Sequence, residues 1–289
     1  MGQAPFYQIA YYSGLPTTVI ASSINKLCGS GLRSIINASQ TILTQTQEVV
    51  ACGGIESLTN VPFFMRRKCF EMGTILVPDI LFHDGLNDFL EEVDVTAYAE
   101  ITARDYNIGR KEQDEYGIRS YNKAMEARKK GFFNDEIEPV EIQKKGGKTE
   151  MVCDDEEIDG LDLTKYYNLK SINGEHGTVT AGNSSNLADG GCMLVLASGN
   201  YVLKQNLKPL ARVVSFAEGS LEPKQFCIAP AVAIPKALLR ANLCANDIHL
   251  WEIHETFSLT PLILINIFKL DPERVNIHGG GVSMGHPFG

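Results

Sequence analysis

Apolar and polar positions along the chain predict a mixed α/β protein. From Thr17 an extended run, T-T-V-I-A-S-S-I-N, ends in C-G-S-G and hands over to residues 32–43, where Leu32, Ile35, Ile36, Ala38 and Ile42 recur at helical spacing. The pattern reads as strand, turn, helix. A second apolar run over 49–52 ends in Gly53-Gly54 and predicts a buried strand, after which Asn60, Pro62, Gly73, Pro78, Gly85 and Asn87 break any period. Residues 95–130 carry helical spacing with many charges; Gly109 interrupts them, and Gly131 follows Arg128, Lys129 and Lys130 as a stop. Order returns at Thr178 with T-V-T-A-G-N-S-S-N, then a helix start near 187–190 and an apolar strand over 192–197. Beyond Leu207 the periods alternate as strand 210–217, helix 231–242, strand 248–253, helix 257–268 and strand 274–277, which implies a layered sheet.

Composition narrows the function. The 289 residues are 44% hydrophobic and 21% charged, ordinary for one large or two moderate domains. A net charge of -9 repels nucleic acid and anionic membrane surfaces, so a polyanionic ligand needs a local basic patch. The seven cysteines, Cys28, Cys52, Cys69, Cys153, Cys192, Cys227 and Cys244, contain no C-x-x-C pair, which argues against a zinc site or disulfide scaffold and fits a reducing compartment. The longest apolar run, 261–268, is broken by Asn266 and too short to span a bilayer. The N-terminus lacks an Arg-rich amphipathic stretch, and Phe6 stands where myristoylation needs Ser or Thr. Asp154, Asp155, Glu156 and Glu157 lack the alternation and glycine of a calcium loop and read as a solvated loop.

Three segments carry candidate chemistry. Cys28, in Cys28-Gly29-Ser30-Gly31, sits where a strand gives way to a helix, and the helix's partial positive charge is expected to lower its pKa and make it the most reactive of the seven thiols. A small buried cysteine beside a packing glycine fits the tetrapeptide as well. Gly279-Gly280-Gly281-Val282-Ser283-Met284-Gly285-His286-Pro287 is a glycine-rich loop whose histidine can take up and return a thiol proton; a plain turn histidine is the competing reading. His254, in Trp251-Glu252-Ile253-His254-Glu255-Thr256-Phe257, can hydrogen-bond a thioester carbonyl or cap the helix that follows.

Together these segments resemble the thiolase family over nearly the whole chain. The resemblance is carried by N-K-L-C-G-S-G-L (25–32), G-G-I-E-S-L-T-N-V-P (53–62), A-E-I-T-A-R (99–104), G-T-V-T-A-G-N-S-S (177–185), I-A-P-A-V-A-I-P-K-A-L (228–238), W-E-I-H-E-T-F-S (251–258) and V-N-I-H-G-G-G-V-S-M-G-H-P (275–287). Within the family, R-K-E-Q-D-E-Y-G-I-R-S-Y (110–121) and F-A-E-G-S-L-E-P (216–223) follow the mitochondrial-type acetoacetyl-CoA subgroup. The resemblance implies two similar α/β halves in a layered αβαβα arrangement with an inserted loop domain over coenzyme A. The halves fall at 1–57 with 188–205 and at 206–289, and the loop domain at 58–187. It implies acyl transfer between coenzyme A thioesters, acetoacetyl-CoA synthesis or thiolysis, through an acyl-cysteine. Cys28 matches the nucleophile, His286 the histidine that activates it, Ser185 a pantetheine contact and Lys165 a residue near the nucleotide. Tyr121, Ala181, Gly182, Ser184 and Val282 match the loop that holds a potassium ion. No redox cofactor is implied. The expected setting is ketone-body and lipid metabolism in a mitochondrial homodimer or homotetramer, with cytosol and peroxisome left open.

Departures from the family pattern shape further expectations. His254 stands where the subgroup has Asn, as in thiolases of longer chain length. Asp94-Val95 replaces a His-Met pair, and Gly160 an Arg near the nucleotide. The family's second cysteine lies in a C-x-G segment beyond Gly289, and Gly2-Gln3 match a motif that follows two strands. The chain is therefore expected to be truncated at both ends, with condensation impaired and stability reduced. Two other functions stay open: a longer-chain 3-ketoacyl-CoA thiolase, and a non-catalytic acyl-CoA binder or decoy subunit.

Overall fold

The computed structural model describes residues 2–65, 67, 74–144 and 146–289. Gly73, in the stretch expected to be irregular, and Cys69 lie outside these residues. In chain order the helices are α1 (Pro5–Tyr12), α2 (Ser30–Leu43), α3 (Val95–Asp105), α4 (Arg110–Lys129), α5 (Leu163–Tyr166), α6 (Gly199–Lys204), α7 (Pro230–Ala241), α8 (Leu259–Phe268) and α9 (Gly281–Met284). The strands are β1 (Val49–Ser57), β2 (Val140–Gln143), β3 (Thr149–Val152) and β4 (Asp189–Ala197). The chain divides into two units: Met1–Ser57 with Asp189–Val213 and Pro287–Gly289, and Leu58–Ala188 with Val214–His286.

In the first unit β1 and β4 pair antiparallel along their whole length, from Val49 opposite Ala197 to Ser57 opposite Asp189. Their backbones approach so closely that a Cβ on Gly53 would overlap the Cys192 carbonyl. Helix α2 lies against β1 and buries Ile36 and Ala38. The expected buried strand over 49–52 is thus half right: the strand forms, but of those four residues only Cys52 is buried. Residues 17–25, expected to be extended, form no strand: among the described residues neither β1 nor β4 hydrogen-bonds to that segment. The helix start expected near 187–190 is also absent; ladder pairing with β1 draws the chain into β4 from Asp189.

In the second unit the polar helical stretch divides as its punctuation predicts. Asp94 caps α3, its carboxylate accepting from the Thr96 N–H at 2.8 Å and the Thr96 hydroxyl at 2.6 Å. Gly109 precedes α4, and its N–H donates to Glu112 Oε2 at 2.8 Å. Gly131, with φ +74°, turns the chain out of α4 and returns its N–H to the Arg128 carbonyl. The core gathers Ala99 and Ala103 of α3, Val179, Phe257, and Leu259 and Ile263 of α8. Helix α8 is apolar nearly all round, which fits a central position.

The alternation expected after 207 survives only in its helices, α7 and α8. Residues 210–217 form no strand, and the runs 248–253 and 274–277 meet through a single parallel bridge, Trp251 to Val275. The next rung is made by a side chain. Asn276 Oδ1 accepts from the Ile253 N–H at 2.7 Å, and its Nδ2 donates to the Ile253 carbonyl at 2.8 Å, so a carboxamide replaces the neighbouring backbone. Among the described residues no helix is long and apolar enough to cross a membrane.

Candidate active site

Cys28 belongs to the first unit and sits just ahead of α2. The turn before it is tight. Leu27 adopts φ +48°, its N–H bonds to Asn25 Oδ1 at 2.9 Å, and the Ser30 hydroxyl donates to the Leu27 carbonyl at 2.6 Å. A left-handed leucine is a strained choice, held here by hydrogen bonds on either side. The expected lowering of the thiol pKa is not what this setting gives. Cys28 is an exposed residue, but protein crowds the sulfur, and the cost of stripping water from the thiolate pushes it up to about 11. The crowding around the sulfur sets the direction, not the exposure of the residue as a whole. A backbone hydrogen bond pulls the other way and is outweighed. At neutral pH Cys28 is a thiol that needs a base.

The second unit holds the two histidines. His286 is 4% exposed, and its ring meets that of His254 edge-on, centroids 4.2 Å apart at 63°. Burial, and then the neighbouring His254, push the His286 imidazole down to about 3; burial also lowers His254. His286 is therefore neutral across the physiological range, and its Nδ1 is paired with Ser185. Ser185 Oγ donates to the Thr256 carbonyl at 3.1 Å and lies 3.1 Å from His286 Nδ1. With the Ser185 proton on the Thr256 carbonyl, His286 Nδ1–H donates to Ser185 and the lone pair falls on Nε2. Backbone bonds fix the frame: His286 N–H donates to the Asn186 carbonyl at 2.8 Å, and Ser185 N–H to Thr256 at 3.0 Å.

Beneath the glycine loop lies a group the sequence reading passed over. Glu255 is fully buried, and each carboxylate oxygen accepts two hydrogen bonds. Oε1 accepts from the Tyr116 hydroxyl at 2.8 Å and from Asn276 Nδ2 at 2.7 Å. Oε2 accepts from the Ser120 hydroxyl at 2.8 Å and from the Val282 N–H at 3.1 Å. The loop can come this close only as glycine: a Cβ on Gly280 would lie 2.6 and 2.7 Å from the two oxygens, and one on Gly279, at φ +85°, would meet Ala124 and Ser120 of α4. The signal available in the sequence was an acid beside a candidate histidine at a strand end; two of its four partners, Ser120 and Tyr116, lie 135 and 139 residues away along the chain.

The remaining predicted residues fall in two groups. Tyr121 and Val282 pack together with Tyr166, and the Tyr121 hydroxyl donates to Glu157 Oε1 at 2.8 Å. Burial first, then Glu157, holds the Tyr121 proton well above the ordinary range. Glu157 also accepts from Asn186 Nδ2, so this end of the acidic run is a structural acceptor and not the solvated loop expected. The Gly182 carbonyl accepts from the Tyr166 hydroxyl at 2.7 Å; Ser184 is buried, with no partner for its hydroxyl among the described residues, and Ala181 is exposed. Lys165, on α5, is exposed and pairs with Asp162 at 3.2 Å.

Comparison with known proteins gives the family setting. The family description "Thiolase, N-terminal domain" matches residues 1–200, and "Thiolase, C-terminal domain" matches residues 207–289. All 289 residues align at 42% identity with the mitochondrial acetyl-CoA acetyltransferase of Mus musculus and at 41% with that of Homo sapiens, spanning 68% of each relative. The Acat5 thiolase from Ascaris suum, solved in complex with coenzyme A, superposes with a TM-score of 0.94 at 39% identity, covering all of this chain and 74% of that one. Human mitochondrial 3-ketoacyl-CoA thiolase superposes with a TM-score of 0.92 at 34% identity, covering 98% of this chain and 72% of the other.

Proposed function

The chain belongs to the thiolase family and has its α/β fold, and on that basis we propose that it transfers acyl groups between coenzyme A thioesters by way of an acyl-thioester on Cys28. The observation that carries the proposal is the buried His286 ring, held through Nδ1 at 3.1 Å from Ser185 and packed edge-on against His254. In the proposed step Nε2 takes the Cys28 proton as sulfur forms its bond to the thioester carbonyl carbon. The carbon–sulfur bond to coenzyme A then breaks, and the departing thiolate recovers the proton from His286. His254 donates a hydrogen bond to the carbonyl oxygen as charge collects there. Ser185 contacts pantetheine in this reading, and Lys165 offers its exposed ammonium to the nucleotide phosphates.

A potassium ion fits the Tyr121 loop. Ser184 brings a buried hydroxyl without a partner among the described residues. Tyr121 gives its proton to Glu157 and keeps lone pairs for a cation, and the Glu157 carboxylate adds negative charge beside it. In this reading the carbonyls of Ala181, Gly182 and Val282 would add oxygens to the set, and that of Gly182 also accepts from Tyr166. Bound there, the ion would supply positive charge beside these oxygens. The mitochondrion and a dimeric or tetrameric state complete the reading; light scattering tests the assembly.

Incubation with isotopically labelled acetyl-CoA, followed by peptide mass spectrometry, tests the chemistry. Label is expected on the Cys28 peptide and absent from a Cys28→Ala variant. Label spread evenly over the cysteines, or none at all, overturns the proposal.

A further inference from the structure

We propose that Glu255 is a positioning residue: a buried carboxylate that holds the glycine loop and thereby sets the orientation and tautomer of His286, an inference that rests on the acyl-transfer reading above. The argument is one of donors and acceptors. Four groups from three parts of the chain meet the carboxylate: Tyr116 and Ser120 on α4, Asn276 at the strand bridge, and the Val282 N–H in the glycine loop. All four donate, and no cation is among them. The carboxylate satisfies them only as a pure acceptor. Tyr116 is held as a donor, because burial first and then the charge on Glu255 raise its pKa. Ser120 extends the tie, accepting from the Gly280 N–H at 3.1 Å. The loop that leads into His286 is thereby fastened to α4 at Gly280 and Val282.

Glutamine is the discriminating substitution, since it keeps shape and removes only acceptor capacity. Its amide nitrogen must face one pair of donors. At the Oε1 position it meets Asn276, whose amide cannot flip because its oxygen accepts from the Ile253 N–H and its nitrogen donates to the Ile253 carbonyl. At the Oε2 position it meets the main-chain N–H of Val282, which cannot turn. Either way two N–H groups point at each other inside the protein, and the loop must move.

The test measures E255Q beside the wild type, by rate of Cys28 acylation from acetyl-CoA and by the imidazole nitrogen resonances of His286. Acylation is expected to slow about 100-fold, with KM roughly unchanged, because a displacement of about 1 Å at a reacting group has that effect. The resonances should lose the single Nδ1–H tautomer of the wild type. E255Q with wild-type rate and tautomer overturns the proposal. If E255Q fails to fold, S120A decides: it removes one donor and the Gly280 tie, and should show the same loss of tautomer purity with about a 10-fold slower acylation. Wild-type behaviour in S120A then overturns it. If wild-type Cys28 takes up no label, the acyl-transfer reading fails by itself, and the His286 resonances still decide the role of Glu255.

Discussion

Lowering the pH should destabilise the second unit through His286, by an amount that follows from its burial. The folded protein keeps this imidazole neutral down to about 3, whereas an unfolded chain protonates it near 6.5. Between those values the unfolded state binds more protons, so stability is whole above about pH 6.5 and is lost as pH falls toward 3. At pH 5 the folded form is still neutral and the unfolded form almost fully charged, which gives a loss of about 2 kcal/mol between pH 7.5 and 5. Trp251 is the only tryptophan, half-buried in the second unit beside the bridge to Val275, so its fluorescence reports this unit's unfolding in urea. With a denaturant slope of about 2 kcal/mol per molar, the midpoint should fall by about 1 M over that range. Other groups titrate too, and the comparison that isolates His286 is with His286→Gln, whose midpoint should fall by about 1 M less. Parallel loss of stability in the two proteins would refute the assignment of a buried, neutral imidazole.

Gly280→Ala should cost about 1–3 kcal/mol by the same urea assay, since backbone conformation allows alanine but its methyl group meets both Glu255 oxygens; unchanged stability would contradict the close approach. Asp94→Ala, which removes the cap of α3, should lower stability by about 1 kcal/mol in thermal unfolding, and Asp94→Asn should recover most of it. Potassium should raise the unfolding temperature relative to sodium, and Tyr121→Phe should abolish the difference; an equal response in both proteins counts against the cation loop.

Local punctuation was readable and long-range pairing was not. Gly109 and Gly131 marked the ends of α4 because caps depend on residues within one turn. The start of α2 at Ser30 lay within two residues of the apolar period that predicts it. Strands are another matter, because an extended run becomes a strand only when a second run supplies its hydrogen bonds. The runs at 17–25 and 210–217 find none among the described residues, and beside Ile253 the side chain of Asn276 takes that place. The three candidate residues Cys28, His254 and His286 came from motifs, whereas Glu255 and Glu157 emerged only from contacts with distant segments. The direction of the Cys28 shift failed for a related reason: helix charge is a local property, but desolvation is set by whatever the fold packs around the sulfur.

Leu27 places a limit on engineering this protein for heat resistance. Its φ of +48° makes Leu27→Gly or Leu27→Asn an obvious route to a more relaxed native turn, and either change should be tolerated by the fold. The bulky side chain, however, narrows the conformations open to the peptide immediately before Cys28. A hardier variant obtained at this position would gain durability by blurring where its sulfur points, so selection for ruggedness and selection for turnover should choose different residues at 27.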